Sequence, residues 1–377
     1  MKRIIALTLV LGLLLCGCGK TDAGQTVPET TAAPQVTEQT EPATEATTEP
    51  TTMPTEPEVY YNPLNGEILD APFTGRIFAN TVSNLRENLP HVGVTQADML
   101  IETYVNMSNV VRCLALYTDI ESVDAIGSTR STRPIFNQIA QHYDLILSHA
   151  GGSDQALGDA RDRGIDNFNI DSWVVASTGA SYRDTEYKRS YENTLFGVGS
   201  GIKAYAESQG MNMDLQRDYG LTFTENGTPE GGEDAGRISI NFIYGQAKKE
   251  TVMEYDAAAG KYVFNQYGEA MTDQITGETE MFTNVLVMHT NITTNNIYHV
   301  ADFNAGGTGY FACGGKIIPI VWSCDGDKEP FRFQTVDGAQ LDLGMGNTYL
   351  AICTPESPVE YEAGAAVDAV AAETTAG

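Results

Sequence analysis

Gly127-Ser128-Thr129-Arg130-Ser131-Thr132-Arg133-Pro134 reads as a strand end turning into a helix, and His149-Ala150-Gly151-Gly152-Ser153-Asp154 repeats that reading. Thr132 with Pro134, and Ser153 with Asp154, are helix-start chemistry, because a side-chain oxygen satisfies a free N–H and proline loses nothing in the first turn. In a domain where strands and helices alternate, two such loops fall on one edge of the sheet. Working outward, residues 76–82, 99–105, 110–117 and 145–149 predict strands, and 134–143, 154–163 and 195–209 predict helices. Gly164 and Gly210 mark helix stops.

After the polar, glycine-rich run 225–234 the pattern changes. Strands are predicted at 238–244, 252–255, 262–265, 285–289, 297–302, 309–313, 317–323, 331–335 and 348–353, with turns at Gly260, Gly314-Gly315, Asp325-Gly326 and Asp337-Gly338. The expected fold is an α/β N-terminal domain, a mixed sheet with flanking helices, followed by an all-β sandwich or partly open barrel. The expected domains are 59–225 and 236–355.

The ends have their own composition. Lys2-Arg3, an apolar run over 4–15 and Leu15-Cys16-Gly17-Cys18 form a signal peptide with a lipobox, which predicts acylation of Cys18 as the mature N-terminus. About twelve apolar residues fall short of the roughly twenty that span a bilayer. Residues 19–58 are rich in Thr, Glu and Pro and are read as a disordered stalk, reaching roughly 35 Å as a coil and roughly 120 Å as a polyproline rod. Such a tether points to a Gram-positive envelope and a place on the outer face of the membrane. Residues 356–377, acidic and Ala-rich, are read as a disordered tail.

The net charge is −28, with 22 Lys and Arg against 50 Asp and Glu. No basic cluster could neutralise successive phosphates of a duplex, so nucleic acid is excluded as a partner. A local basic pocket can still bind a small anion, because short hydrogen bonds decide there rather than the long-range field. Cys113, Cys313, Cys324 and Cys353 form no Cys-x-x-Cys pair and no zinc spacing, and no cofactor is implied. Cys113, inside an apolar strand, reads as a small buried hydrophobe, and a Cys324–Cys353 bridge is open to an exported chain.

A family resemblance emerges from residues spread along the chain. They are Asn62-Pro63-Leu64 with Gly66, Asn84, Gln96-Ala97-Asp98, Glu102, Arg112, Gly127, Arg130-Ser131, Arg133-Pro134, Tyr143-Asp144 and His149 to Ser153, then Gly309-Tyr310, Gly315-Lys316 and Trp322-Ser323. With them the chain resembles the YerB-like lipoproteins of Gram-positive bacteria, whose two-part extracytoplasmic region has no assigned reaction. Leu89-Pro90 stands where such proteins usually have Arg-Pro, and Tyr191-Glu192-Asn193-Thr194-Leu195 where they usually have Pro-His-Asn-Leu-Tyr.

The candidate ligand-binding residues are Ser128, Arg130, Ser131, Arg133, His149, Gly151, Gly152 and Ser153. Two guanidiniums and the N–H groups of a helix start suit a phosphate, pyrophosphate or carboxylate, with Ser128, Thr129 and Ser131 as hydroxyl donors. The competing reading puts Arg130 and Arg133 in ion pairs with Asp98, Glu102 or Asp144. Arg183-Asp184 and Asn193 are expected to close the same edge. His289 and His299 are read as facing each other across a hairpin near Thr294, as strand partners before metal ligands. No Gly-x-Ser-x-Gly elbow, P-loop or dinucleotide motif occurs.

The expected function is that of a non-enzymatic envelope lipoprotein, anchored in membrane lipid through Cys18 and binding an anionic wall ligand, a lipid phosphate or a protein partner. The alternative is a magnesium-dependent phosphotransferase or hydrolase of lipid-linked pyrophosphates, since the layout looks loosely similar to the LytR-CpsA-Psr enzymes. There an aspartate follows the loop arginine; here Ser131 follows Arg130.

Overall fold

A computed structural model describes residues 59–107, 111–186, 189–214, 217–245 and 247–364; the signal, lipobox and stalk fall outside the described residues. The expected alternation is present. Strands β1 (Phe78–Ser83), β2 (Met99–Tyr104) and β3 (Val111–Tyr117) lead to helix α1 (Pro134–His142), strand β4 (Ile146–His149), helix α2 (Asp154–Arg163) and strand β5 (Asn167–Asn169).

In α1, Ile135, Phe136, Ile139 and Ala140 recur at helical spacing and are buried. Each of the three larger ones contributes about 1.5–3 kcal/mol by leaving water. Asp144 takes the left-handed conformation, φ 49°, that returns the chain into β4. Helix α2 opens on Ser153, whose hydroxyl accepts the Ala156 N–H at 3.1 Å, and closes on left-handed Gly164.

The helix expected at 195–209 is corrected. Its first residues form a strand, β7 (Leu195–Gly197), between Ile126–Gly127 and β6 (Ser181–Arg183), and only then does helix α3 (Gly199–Ser208) begin. Leu195 and Phe196 bury their side chains in the strand, and a Cβ on Gly199 would stand 1.8 Å from the Ile120 carbonyl oxygen. A glycine at that contact fixes where the helix starts.

In the second half, β8 (Arg237–Tyr244), β9 (Ala247–Asp256) and β10 (Lys261–Gln266) form a meander. Then come β11 (Asn284–His289), the hairpin of β12 (Ile292–Asn295) and β13 (Tyr298–Ala301), β14 (Gly307–Cys313), β15 (Lys316–Ser323) and β16 (Thr348–Cys353). Part of the expected disordered tail is ordered: β17 (Val359–Glu362) pairs antiparallel with β8, and Tyr361 packs on Tyr310 with ring centroids 6.2 Å apart. Alternate side chains gain cover there, enough to hold an edge strand; residues 365–377 lie outside the described residues.

The halves share one sheet of eleven strands, running β15-β14-β11-β16-β2-β3-β1-β4-β5 through its centre. Strand β16, near the chain's end, lies parallel to both β11 and β2 and joins the two parts. Strands β2 and β3 are buried along their whole length. One face is covered by the second sheet, where Phe242 meets Tyr104 at 5.5 Å and Phe264 meets Tyr349 at 5.4 Å; the β12–β13 hairpin packs between α1 and Tyr244 of that second sheet. Covering both faces is what allows a near-continuous apolar strand.

The side-chain periodicity of two sorts the charges. Glu102 lies opposite Cys113 and Thr103 opposite Arg112, so Glu102 and Arg112 project from opposite faces of the sheet. All four described cysteines are free and buried, so Cys324 and Cys353 form no bridge; Cys324 instead has its sulfur 3.3 Å from His142 Nδ1.

Candidate functional site

The two strand-to-helix loops are joined by their backbones. The Ala150 N–H donates to the Arg130 carbonyl at 2.8 Å and the Thr132 N–H to the Gly151 carbonyl at 3.0 Å, with Thr132 and Gly152 forming a parallel bridge. The first loop also continues the ladder beyond β4, the Arg130 N–H donating to Thr81 O at 2.9 Å. Left-handed Gly151, φ 66°, lets its N–H reach Asn169 Oδ1 at 2.8 Å.

The Ser131 and Thr129 hydroxyl groups are already spent within the protein. Ser131 Oγ donates to Ala150 O at 2.8 Å, Thr129 Oγ1 to Asn80 Oδ1 at 3.0 Å, and Ser128 is fully buried with its Oγ unpartnered among the described residues. His149 is buried too, its Nε2 3.0 Å from Asn167 Oδ1, and burial pulls its pKa below the ordinary imidazole range. Ser153 serves as the α2 cap. Ser131 and Ser153 satisfy nearby backbone first, as short polar side chains do, while Thr129 and His149 take side-chain partners.

The arginines differ. Arg112, which sequence reasoning left out of the site, enters from β3 and donates from Nη1 to the Ser131 carbonyl at 2.5 Å. Arg130 donates from Nη1 to the Glu192 carbonyl at 3.1 Å and to Asn193 Oδ1. Arg133 bonds the Thr132 carbonyl at 2.7 Å and stacks on the Tyr298 ring at 4.9 Å, while its Nε is buried without a partner among the described residues. The signal for Arg112 was present: one cation inside Val110-Val111-Arg112-Cys113-Leu114-Ala115-Leu116 is too costly to bury without a reason.

The competing ion-pair reading is corrected. Asp98 takes N–H and O–H donors from Asn62, Asn65 and Thr118; Glu102 pairs with Lys249 at 2.5 Å; Asp144 pairs with Arg76 at 3.2 Å. Among the described residues, no carboxylate lies within 4.0 Å of Arg112, Arg130 or Arg133 in an ion pair. Burial first, then the neighbouring Arg133 and Arg130, depress the Arg112 pKa well below its ordinary range. Burial also lowers Arg133, with Arg130 adding to it. An arginine nevertheless keeps its proton near neutral pH, so the cluster is a patch of uncompensated positive charge.

Asn193 does close this edge against Arg130, whereas Arg183 turns to Asp171 at 2.6 Å. The histidine pair does not form. His299 faces Thr294 within the hairpin, whose turn lies at left-handed Asn296, and its Nε2 is 2.7 Å from the Asn106 carbonyl; His289 sits on β11 near Tyr310. A cavity of about 620 Å³ lies elsewhere, between Thr224 and Asp342, and its charged lining groups, Glu230, Asp337 and Asp342, are all acidic. It is unsuited to an anion.

Comparison with known proteins agrees with this layout. A family model described as "Protein of unknown function (DUF3048) N-terminal domain" matches residues 64–212, and the DUF3048 C-terminal domain matches residues 238–350. YerB of Bacillus subtilis (strain 168), a candidate lipoprotein by its name, is 22% identical over 303 residues, covering 77% of this chain and 88% of that protein. The crystal structure of the Bacillus subtilis YerB protein superposes with a TM-score of 0.68 at 20% identity, covering 80% of this chain and 99% of the solved one. At that identity the likeness speaks for the fold.

Proposed function

The chain belongs to the YerB-like, DUF3048 family of lipoproteins, and we propose that it is a membrane-anchored extracytoplasmic protein that binds an anionic ligand of the cell envelope at Arg112, Arg130 and Arg133. The observation that carries this is a set of arginines, one of them 5% exposed, with no carboxylate partner among the described residues in a chain of net charge −28. Acidic groups are abundant, yet Asp98, Glu102 and Asp144 are committed elsewhere. A buried, unneutralised cation costs stability, and a phosphate or carboxylate accepting bidentate N–H bonds would repay that cost.

Anchoring is read from the lipobox: a diacylglycerol on Cys18 supplies two chains, which is enough for stable attachment. Among the described residues no helix is long and apolar enough to cross a membrane. The phosphotransferase reading gains nothing from the geometry, since Ser131 stands where an acid would follow Arg130 and its hydroxyl is spent on Ala150.

Two measurements test the proposal. Replacing Cys18 by serine should move the protein from the membrane to the soluble fraction and abolish incorporation of labelled palmitate. Pyrophosphate should raise the melting temperature of the wild type, as any ligand of the native state must, and leave Arg130→Ala/Arg133→Ala unmoved. An equal shift in both proteins would place the ligand elsewhere.

A further inference from the structure

We propose that the ligand is a sugar phosphate, its phosphoryl group on Arg112, Arg130 and Arg133 and its sugar ring against the exposed aromatic rings of Tyr191 and Trp173. This rests on the anion-binding reading and adds the class of molecule that carries the anion.

Trp173 is 82% exposed and Tyr191 69% exposed, among the largest apolar surfaces this protein leaves in water. Rings of this size carry a large apolar area that exposure leaves in water, and Tyr191 adjoins Glu192, whose carbonyl Arg130 holds. The link to the arginines is continuous. Arg130 holds the Glu192 carbonyl at 3.1 Å, and Arg183 holds the Tyr191 carbonyl at 2.6 Å from the same short turn, Tyr191–Asn193. The Arg183 guanidinium lies 4.0 Å from the centre of the Tyr191 ring, which steadies one side of that ring. Its other end pairs with Asp171 at 2.6 Å, two residues before Trp173, on the single-turn helix Trp173–Ala176 that packs against β6.

What separates these rings decides the occupant. Asp171 and Glu192 are exposed and Arg183 is partly so, so hydrogen-bonding groups alternate with aromatic faces. A lipid tail needs a continuous apolar groove. A sugar presents C–H groups on its faces and hydroxyls around its rim, which fits rings set among carboxylate and guanidinium groups. The arginines require an anion beside that sugar, and a phosphate monoester or diphosphate supplies two charges or more where a sugar acid supplies one.

The test titrates the full-length chain, solubilised in detergent, with inorganic phosphate, glucose and glucose 1-phosphate, and separately with neutral vesicles carrying a polyprenyl diphosphate sugar. The chain has two tryptophans, and Trp322 is only 3% exposed, so a ligand-induced blue shift of emission reports Trp173. Glucose 1-phosphate is expected to bind about tenfold more tightly than phosphate, the worth of one good aromatic contact, and to shift the emission. Trp173→Ala and Tyr191→Ala, both at exposed positions, should remove that preference and leave phosphate affinity unchanged.

Vesicle binding that is lost in the same variants, without binding of glucose 1-phosphate, supports the proposal and names a lipid-linked source; binding of both names the shared sugar phosphate. Equal affinity for phosphate and glucose 1-phosphate, with vesicle binding indifferent to Trp173 and Tyr191, overturns the sugar while the anion site stands. No binding of any probe, or binding untouched by Arg112→Met, overturns both.

Discussion

Glu102 and Arg112 lie one step apart in the register of β2 and β3, on opposite faces of the same sheet, and they have opposite fates. Glu102 is fully buried and fully served: Asn84 donates at 2.6 Å, Lys249 at 2.5 Å, Thr251 at 2.8 Å and Tyr349 at 2.6 Å. Those partners come from both sheets, so the carboxylate ties the layers together. Arg112 is nearly as buried, yet after burial the charges that act on it most are two more arginines. A buried charge with all its partners is architecture, whereas one without a carboxylate partner among the described residues is the premise of the anion-binding proposal.

The contrast breaks first at Glu102. Glu102→Ala strands Lys249 inside the protein and should cost about 3–5 kcal/mol in denaturant unfolding, as removal of one partner of a buried pair does. A cost under 1 kcal/mol would mean the two faces are not different in kind. Arg112→Met should do the reverse. Removing an uncompensated charge while keeping volume should leave stability unchanged or raise it by about 1 kcal/mol. In the same variant the stabilisation by pyrophosphate, about 2.7 kcal/mol for the wild type at a hundred times Kd, should vanish. Loss of stability in Arg112→Met would make it a structural residue like Glu102.

A weaker test uses pH. Burial lowers the pKa of His142, His149, His289 and His299 below the ordinary 6.5. The unfolded chain therefore takes up protons first as pH falls. The stability from neutral burial is complete above about 6.5 and is lost as pH drops through the lowered folded values. Melting temperature should fall between pH 7 and 5, less steeply in His149→Asn; an unchanged slope would show that His149 takes no part. The smallest effect belongs to Ser153→Gly, which loses the hydroxyl but keeps a tolerated cap and should cost a few tenths of a kcal/mol. If anion affinity fell while stability barely moved, the second loop would contribute to the site.

Local order was legible to a degree that long-range order was not. Helix Asp154–Arg163 and strand Thr348–Cys353 begin and end where the pattern predicts, because caps and apolar runs are written into consecutive residues. The strand within 195–209 was not legible: Leu195 and Phe196 suit either element, and the decision rests on the Ile120 carbonyl beside Gly199, far away in sequence. At the site, Arg130 and Arg133 announced themselves by their loop. Arg112 needed the fold, since only the pairing of β3 with β1 and β2 sets it on the face toward Ser131. The inward turn of the Ser128, Thr129 and Ser131 hydroxyls is likewise a matter of neighbours no local pattern lists.

The placement of β16 sets a timetable. A chain is made from its N-terminus, and the strand that fills the gap between Met99–Tyr104 and Asn284–His289 emerges after both of its neighbours. Until it does, β2 waits with one row of N–H and C=O groups unpaired, an open edge that would accept any stray strand. Closing it joins residues about 250 positions apart, a contact of the kind that slows folding. A molecule truncated before Thr348 would therefore leave its first half holding that open edge, which closes only when β16 arrives.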